Sequence, residues 1–249
     1  MASGLCHLDH TLTRKLIPEM NLRNLFLLLS ITALAGCATT PPMSVTQQEQ
    51  HELGPVAGAL FIPQNSLLVT VTPTNPGATG LLGVLVAAGI DAARRSSAES
   101  AAAPILDQLH DYDFRAVMKQ ASDSAVGTLQ IIKFSAPLDV ETVNSSTQKR
   151  IVFDNASASA VLFVDVGYQL QSGNLYVSAD AVMYPKANNL LQFRRKPSDS
   201  DPLDAGNAIY RKTFKYAKLN VVAADIKGDL TDAANNIASQ LAADLNHPI

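Results

Sequence analysis

Few residues in this sequence have side chains able to carry out chemistry, and their positions narrow the options. The chain has two cysteines, Cys6 and Cys37, and five histidines, His7, His10, His51, His110 and His247. A thiol serves as nucleophile, metal ligand or acylation site, and an imidazole as base or ligand. Cys37 directly follows Leu34-Ala35-Gly36, behind an uncharged run at residues 25–34 with Arg23 ahead of it. A positive start, an apolar stretch of roughly 7–15 residues and small residues behind it make a secretory signal. A spanning helix needs about 20 apolar residues, and this run is half that. It is expected to be a processed signal and not an anchor.

The other reactive candidates are carboxylates. Residues 160–170 alternate as a strand with Leu162, Val164, Val166, Tyr168 and Leu170 on one face. Gln171-Ser172-Gly173-Asn174 reads as a tight turn, and residues 175–184 return as the partner strand. Closing that hairpin sets Leu170 against Leu175 and, in the same register, Asp165 against Asp180. Two carboxylates directly opposite repel, and could hold a cation or keep one raised pKa for weak hydrolytic chemistry. A shifted register, or neutralisation by Arg211 or Lys215 on the next strand, would leave them structural.

His110-Asp111-Tyr112-Asp113 contains ligand-type residues, but adjacent residues do not share a helix face. It reads as a turn between helices, with Asp113 capping a helix over residues 114–124. Arg194-Arg195-Lys196 sits in a long polar excursion at 185–208 and offers a basic patch for anionic headgroups, a glycan or a partner. Neither Gly-x-Ser-x-Gly, a phosphate-binding glycine loop nor His-Glu-x-x-His is present. Of the histidines beyond Cys37, His51, His110 and His247 all fall in a tether, a turn or a tail. No catalytic residue, metal ligand set or cofactor is expected.

The block Leu34-Ala35-Gly36-Cys37 resembles the lipobox of bacterial lipoproteins. That resemblance implies a diacylglyceryl group on the Cys37 thiol, cleavage between Gly36 and Cys37, and acylation of the new amino terminus. Two or more chains give stable anchoring where one is marginal. The residue after the lipid site is Ala38, where an aspartate would be the inner-membrane retention signal, so the resemblance implies the periplasmic face of the outer membrane. Met20-Asn-Leu-Arg opens the signal cleanly, so residues 1–19 are expected to be an over-call of the start and residues 20–36 the signal peptide.

Beyond Cys37 the chain keeps 16 of its 19 basic and 20 of its 22 acidic residues, a net charge near −4 that argues against general nucleic-acid binding. With Cys37 lipidated, no cysteine remains for a disulfide. About 200 residues suffice for one domain with a real core.

Residues 37–55 lack apolar periodicity and are expected to form a flexible tether. Residues 56–62 and 67–72 read as strands and residues 80–90 as a buried helix. An alternative is that residues 80–90 contact membrane or neighbours, with Gly80, Gly83 and Ala87 permitting close helix approach. An alanine-rich helix continues to Leu109, with Pro104 kinking or dividing it. A strand at 129–134, a connection at 137–144, and a helix from the Ser145–Gln148 capping box to about Asn155 follow. Beyond the hairpin come a strand at 209–219, with Tyr210, Phe214 and Tyr216 on one face, and a last helix. Asp229 or a neighbour is expected to cap it, and Leu230, Ala234, Ile237, Leu241 and Leu245 form its stripe.

The expected class is mixed α/β, or α+β: a single domain over residues 56–249 whose mixed sheet carries packed helices. In its order of elements, roughly residues 66–246, the chain resembles the α/β domain of lipoprotein activators of penicillin-binding proteins, the curli-secretion lipoprotein and the amino-terminal domain of the Tol translocation protein. The function expected is non-catalytic: a lipid-anchored periplasmic protein that binds, regulates or assembles an envelope complex. Its partners would be the bilayer and an envelope protein, with self-association open. A subunit of a secretion or pore-forming assembly, and a weak hydrolase using Asp165 and Asp180, are the alternatives.

Overall fold

The computed structural model describes residues 42–70 and 81–248, without the side chains of residues 81–92. The signal segment, Gly36, Cys37 and Gly80 lie outside the described residues. In chain order the elements are α1 (Gln47–Glu52), β1 (Val56–Phe61), β2 (Leu68–Thr70), α2 (Leu81–Gln108), α3 (Phe114–Val126) and β3 (Asp139–Glu141), followed by α4 (Ser146–Asn155), β4 (Ala160–Gln171), β5 (Asn174–Pro185), β6 (Tyr210–Lys218) and α5 (Ile226–Asn246).

Strand β4, the longest apolar alternation, is the spine of a mixed sheet ordered β3-β1-β4-β5-β6. Its partners β1 and β2 run parallel to it, while the β4–β5–β6 meander is antiparallel. Ser172 and Gly173 turn the hairpin with φ of 50° and 78°. Positive φ at both central residues gives the turn whose twist matches the strands it joins. One sheet face carries Leu162, Val164, Val166, Tyr168 and Leu170, buried against Phe114 and Met118 of α3 and Leu230, Ile237 and Leu241 of α5. The other face has a smaller apolar cluster, Ala59, Phe61, Val161 and Phe163, beneath Phe153 of α4.

Strands β1 and β2 are collinear pieces on the same side of β4, separated by Pro63, which has no N–H to donate. The Gln64 side chain fills the gap. Its Nε2 donates to the Tyr168 carbonyl at 2.9 Å, and its Oε1 accepts from the Tyr168 N–H at 2.9 Å. A side-chain amide thus takes the place of the missing strand residue. Arg115 secures the same break by donating to Ile62 O and to Asn65 Oδ1, at 2.9 and 2.6 Å.

Several expectations are corrected. The described part of the tether, residues 42–55, is ordered and packed. Met43 exchanges two backbone hydrogen bonds with Arg211, Met43 and Val45 are buried, and Gln50 donates to Leu245 O at 2.7 Å. Helix α1 has the full capping box: Thr46 Oγ1 accepts from Glu49 N, and Glu49 Oε2 accepts from Thr46 N. The short apolar set Met43, Val45 and Leu53 suffices to dock it, although it shows no helical period.

Residues 129–134 are not a strand. Leu129 and Ile132 are buried three apart, only Phe134 forms a bridge, to Val56, and the place beside β1 passes to β3. The N-cap of α5 is a neighbour of Asp229, Asp225, whose side chain makes no capping bond; Asp229 itself is buried inside α5, 3.5 Å from Lys218. Helix α2 runs through Pro104 unbroken, and over residues 93–101 it is exposed on every face apart from half-exposed Ala98. Its burial begins at Ala102 and Ile105.

Candidate functional site

The site lies on the sheet face opposite α3 and α5. Helix α4 covers the β1 side of that face, placed by its two ends. At the start, Ser145 Oγ accepts from Gln148 N at 3.1 Å, while the Gln148 side chain turns to Glu141 instead of closing a capping box. At the finish, the Lys186 ammonium donates to the carbonyls of Phe153, Asp154 and Ala156, which satisfies the helix's last acceptors.

The polar 185–208 excursion is organised around buried Asn207. The Asn207 amide donates to Ser198 O and Asp201 O at 2.7 and 2.8 Å, and its Oδ1 accepts from Ser198 N at 2.9 Å. This brings Ser200, Asp201 and Leu203 up to α4.

Between α4, β4, β5 and this loop opens a cavity of about 720 Å³. Its floor is Phe163 and Val182, and its rim includes Ile151 and Leu203. The polar lining comprises Lys149, Arg150, Asp165, Asp201 and Tyr184 together with the hydroxyls of Ser146, Thr147 and Ser200.

Asp165 and Asp180 stand directly opposite each other on β4 and β5, in the expected register. The cation beside Asp165 is neither Arg211 nor Lys215. Lys149 Nζ is 2.6 Å from Asp165 Oδ2 and 5.2 Å from the centre of the Phe61 ring. Asp180 Oδ1 accepts from Thr213 Oγ1 at 2.5 Å. Asp165 Oδ1 is buried and receives no protein hydrogen bond. Arg150 Nε donates to both oxygens of Asp154, and its Nη1 is 3.6 Å from Asp201 Oδ1. The Tyr184 phenol is pushed above its ordinary pKa by burial, with neighbouring Arg211 acting the other way.

The basic triplet borders this region, with Arg194 engaged by the loop and Arg195 and Lys196 open to solvent. Arg194 donates to Leu191 O and Asn207 Oδ1 and lies 3.7 Å from Asp199. Arg195 and Lys196 are exposed, and Asp199, Asp201 and Asp204 follow within the same loop. Asp111 is engaged by Lys227 at 2.6 Å, which holds its carboxyl below the usual carboxylate range. Asp113 caps α3 as expected, accepting from Arg115 N and Ala116 N. Among the described residues no three His, Cys, Asp or Glu side chains are grouped to hold a metal. No helix among them is long and apolar enough to cross a membrane.

Lys149, Arg150 and Tyr184 were missed from the sequence. The available signal was the Lys149-Arg150 pair on a capped helix immediately preceding the central strand.

No family model matches the chain and no curated protein matches it. Among the solved structures that match the chain are three that align over most of its length, each at 9% identity. An uncharacterized protein covers 76% of this chain and 88% of its own at a TM-score of 0.33. Protein XCC0632 from Xanthomonas campestris, of family DUF330, covers 82% and 85% at 0.34. A PelC dodecamer from Paraburkholderia phytofirmans covers 80% and 92% at 0.30. Similarity at this level carries no functional argument.

Proposed function

We propose that this chain is a non-catalytic binding protein of the bacterial envelope, anchored through lipid on Cys37 to the periplasmic face of the outer membrane. It would engage an envelope partner at the α4–loop cavity. The observation that carries the binding reading is the cavity itself, whose charged groups are already paired: Lys149 with Asp165 and Arg150 with Asp201. Side chains held in fixed pairs around an open cavity support recognition of a partner. The sequence around Cys37 supports the anchor.

Two measurements test the reading. Intact mass of the native product is expected to show acyl groups on Cys37, and Cys37→Ala to release the chain from outer-membrane fractions. An unacylated, envelope-free wild type would overturn the anchor. A photocrosslinker at Ile151, on the cavity rim, is expected to capture an envelope component in cells. No adduct there would overturn the binding site. If Asp165→Asn with Asp180→Asn abolished a hydrolytic activity of the purified protein, the hydrolase alternative would replace this reading.

One observation favours the assembly alternative. About two and a half turns of α2, residues 93–101, are exposed apart from half-exposed Ala98, and the apolar sequence of residues 81–90 occupies the helix's first turns. A helix apolar all round is normally buried. A mass several times that of the protomer, persisting on dilution in light scattering, would make α2 an assembly element.

A further inference from the structure

We propose that helix α2 is the shared core of an assembly of three or more copies of this chain, its apolar first turns covered by the same turns of two neighbouring copies. This rests on the assembly reading raised above and specifies its partner, its minimum size and its contact.

Polarity along the helix argues first. Positions 81–90 are apolar without exception, and Leu81, Leu82, Val84, Leu85, Val86 and Ile90 are the large ones. At about 100° per residue those six are spread over an arc of about 240°. One helical partner covers a stripe of roughly 100°, so a pair of copies would leave much of that arc in water. Two neighbours suffice, and a closed arrangement in which every copy has two neighbours begins at three copies. Gly83 and Ala87, four residues apart, fall together in the remaining arc and permit a close approach of helix axes.

Position argues second. Residues 93–101 are exposed apart from half-exposed Ala98, and burial of α2 starts at Ala102 and Ile105. That exposed stretch, about 14 Å of helix, lies between the packed end and the apolar turns. A lipid leaflet is the poorer cover for those turns. Their length is about half of what a spanning helix needs. Thr72, Thr74, Asn75 and Thr79 directly precede them in the sequence, so an inserted tip would carry polar groups into hydrocarbon.

Charge argues third. Arg94, Arg95 and Glu99 are exposed, and among the described residues none of them has an ionic partner. Arg95 stands four residues before Glu99, the less favourable order for pairing within one helix. Each is free for the opposite charge on an adjacent copy, as flanking positions pair between the helices of a bundle.

Native mass spectrometry of the full acylated protein, released from detergent micelles, tests the proposal, with a photocrosslinker at Ala98 as the measurement in cells. Three or more protomers are expected at micromolar concentration, and a ladder of adducts at multiples of the protomer mass. Leu85→Glu is expected to return the monomer with an unchanged urea midpoint, since α2 packs on its own body only from Ala102 onward. Arg95→Glu is expected to weaken the assembly about threefold or more, and the added Glu99→Arg to restore it. The proposal is overturned by a monomer at every concentration, by a dimer that grows no further, by an assembly that survives Leu85→Glu, or by a double reversal as weak as the single one. Survival in Leu85→Glu would keep the assembly reading and remove only α2 from it. Adducts from Ile151 do not depend on α2, so the binding reading stands or falls separately.

Discussion

Gln64 illustrates what a single side chain decides in this molecule. Replacing it with leucine keeps most of its bulk and removes both bonds to the Tyr168 backbone, leaving an N–H and a C=O of the central strand unmatched beside Pro63. A loss of about 1–3 kcal/mol is expected, read as a lower urea midpoint with unchanged slope. Tyr210 makes a second prediction, on pH. Its ring is fully buried, its hydroxyl donates to Asp244, and burial raises its phenol far above the ordinary value of 10.0. A group whose folded pKa is raised contributes stability that is complete below its unfolded pKa, here about 10, and is lost as pH climbs beyond it. The Tyr210 phenolate should therefore appear only together with alkaline unfolding, and Tyr210→Phe should shift that unfolding to higher pH. The Asp165–Asp180 alignment was legible because a two-residue turn fixes every pair behind it. The lysine that neutralises Asp165 was not, because it arrives from a helix 16 residues upstream and depends on which sheet face that helix covers.

At the scale of elements, α4 is held at one end by Ser145 and at the other by the Lys186 ammonium. Lys186→Met retains the aliphatic stem and removes the ammonium donor shared by the Phe153, Asp154 and Ala156 carbonyls, so a loss of about 1–3 kcal/mol is expected in chemical denaturation. Partner capture at the cavity should fall with it, because α4 forms one wall. Long alternating strands and the apolar stripe of α5 were readable in advance, since each satisfies one clear period over many residues. Short elements were not. Residues 129–134 have strand-like composition, but Leu129 and Ile132 bury themselves by packing and leave the ladder to Asp139–Glu141, where Pro137 and acidic residues disguise a strand. The capping pattern Thr46-Gln-Gln-Glu49 was in plain view and announced α1; the polar composition around it pointed the other way.

For the whole molecule, the mixed sheet with packed helices follows from its strand and helix periods, whereas the placement of β1 and β2 end to end beside β4 depends on long-range pairing that no local pattern encodes. The segment ahead of β1 belongs to the domain. Met43→Ala is expected to cost about 2 kcal/mol, at the low end for truncating a buried methionine, and to speed proteolysis of residues 42–55. No change in either would return that segment to the status of a loose leader. The pairing of Met43 with Arg211 also has a mechanical side. A pull on the chain from upstream reaches the body first at two backbone bonds on an edge strand and then at the short helix behind them, while β1 sits between two neighbours in the middle of the sheet. Under such a load the strap would peel away before the core felt strain, so this stretch would act as a fuse ahead of the folded body.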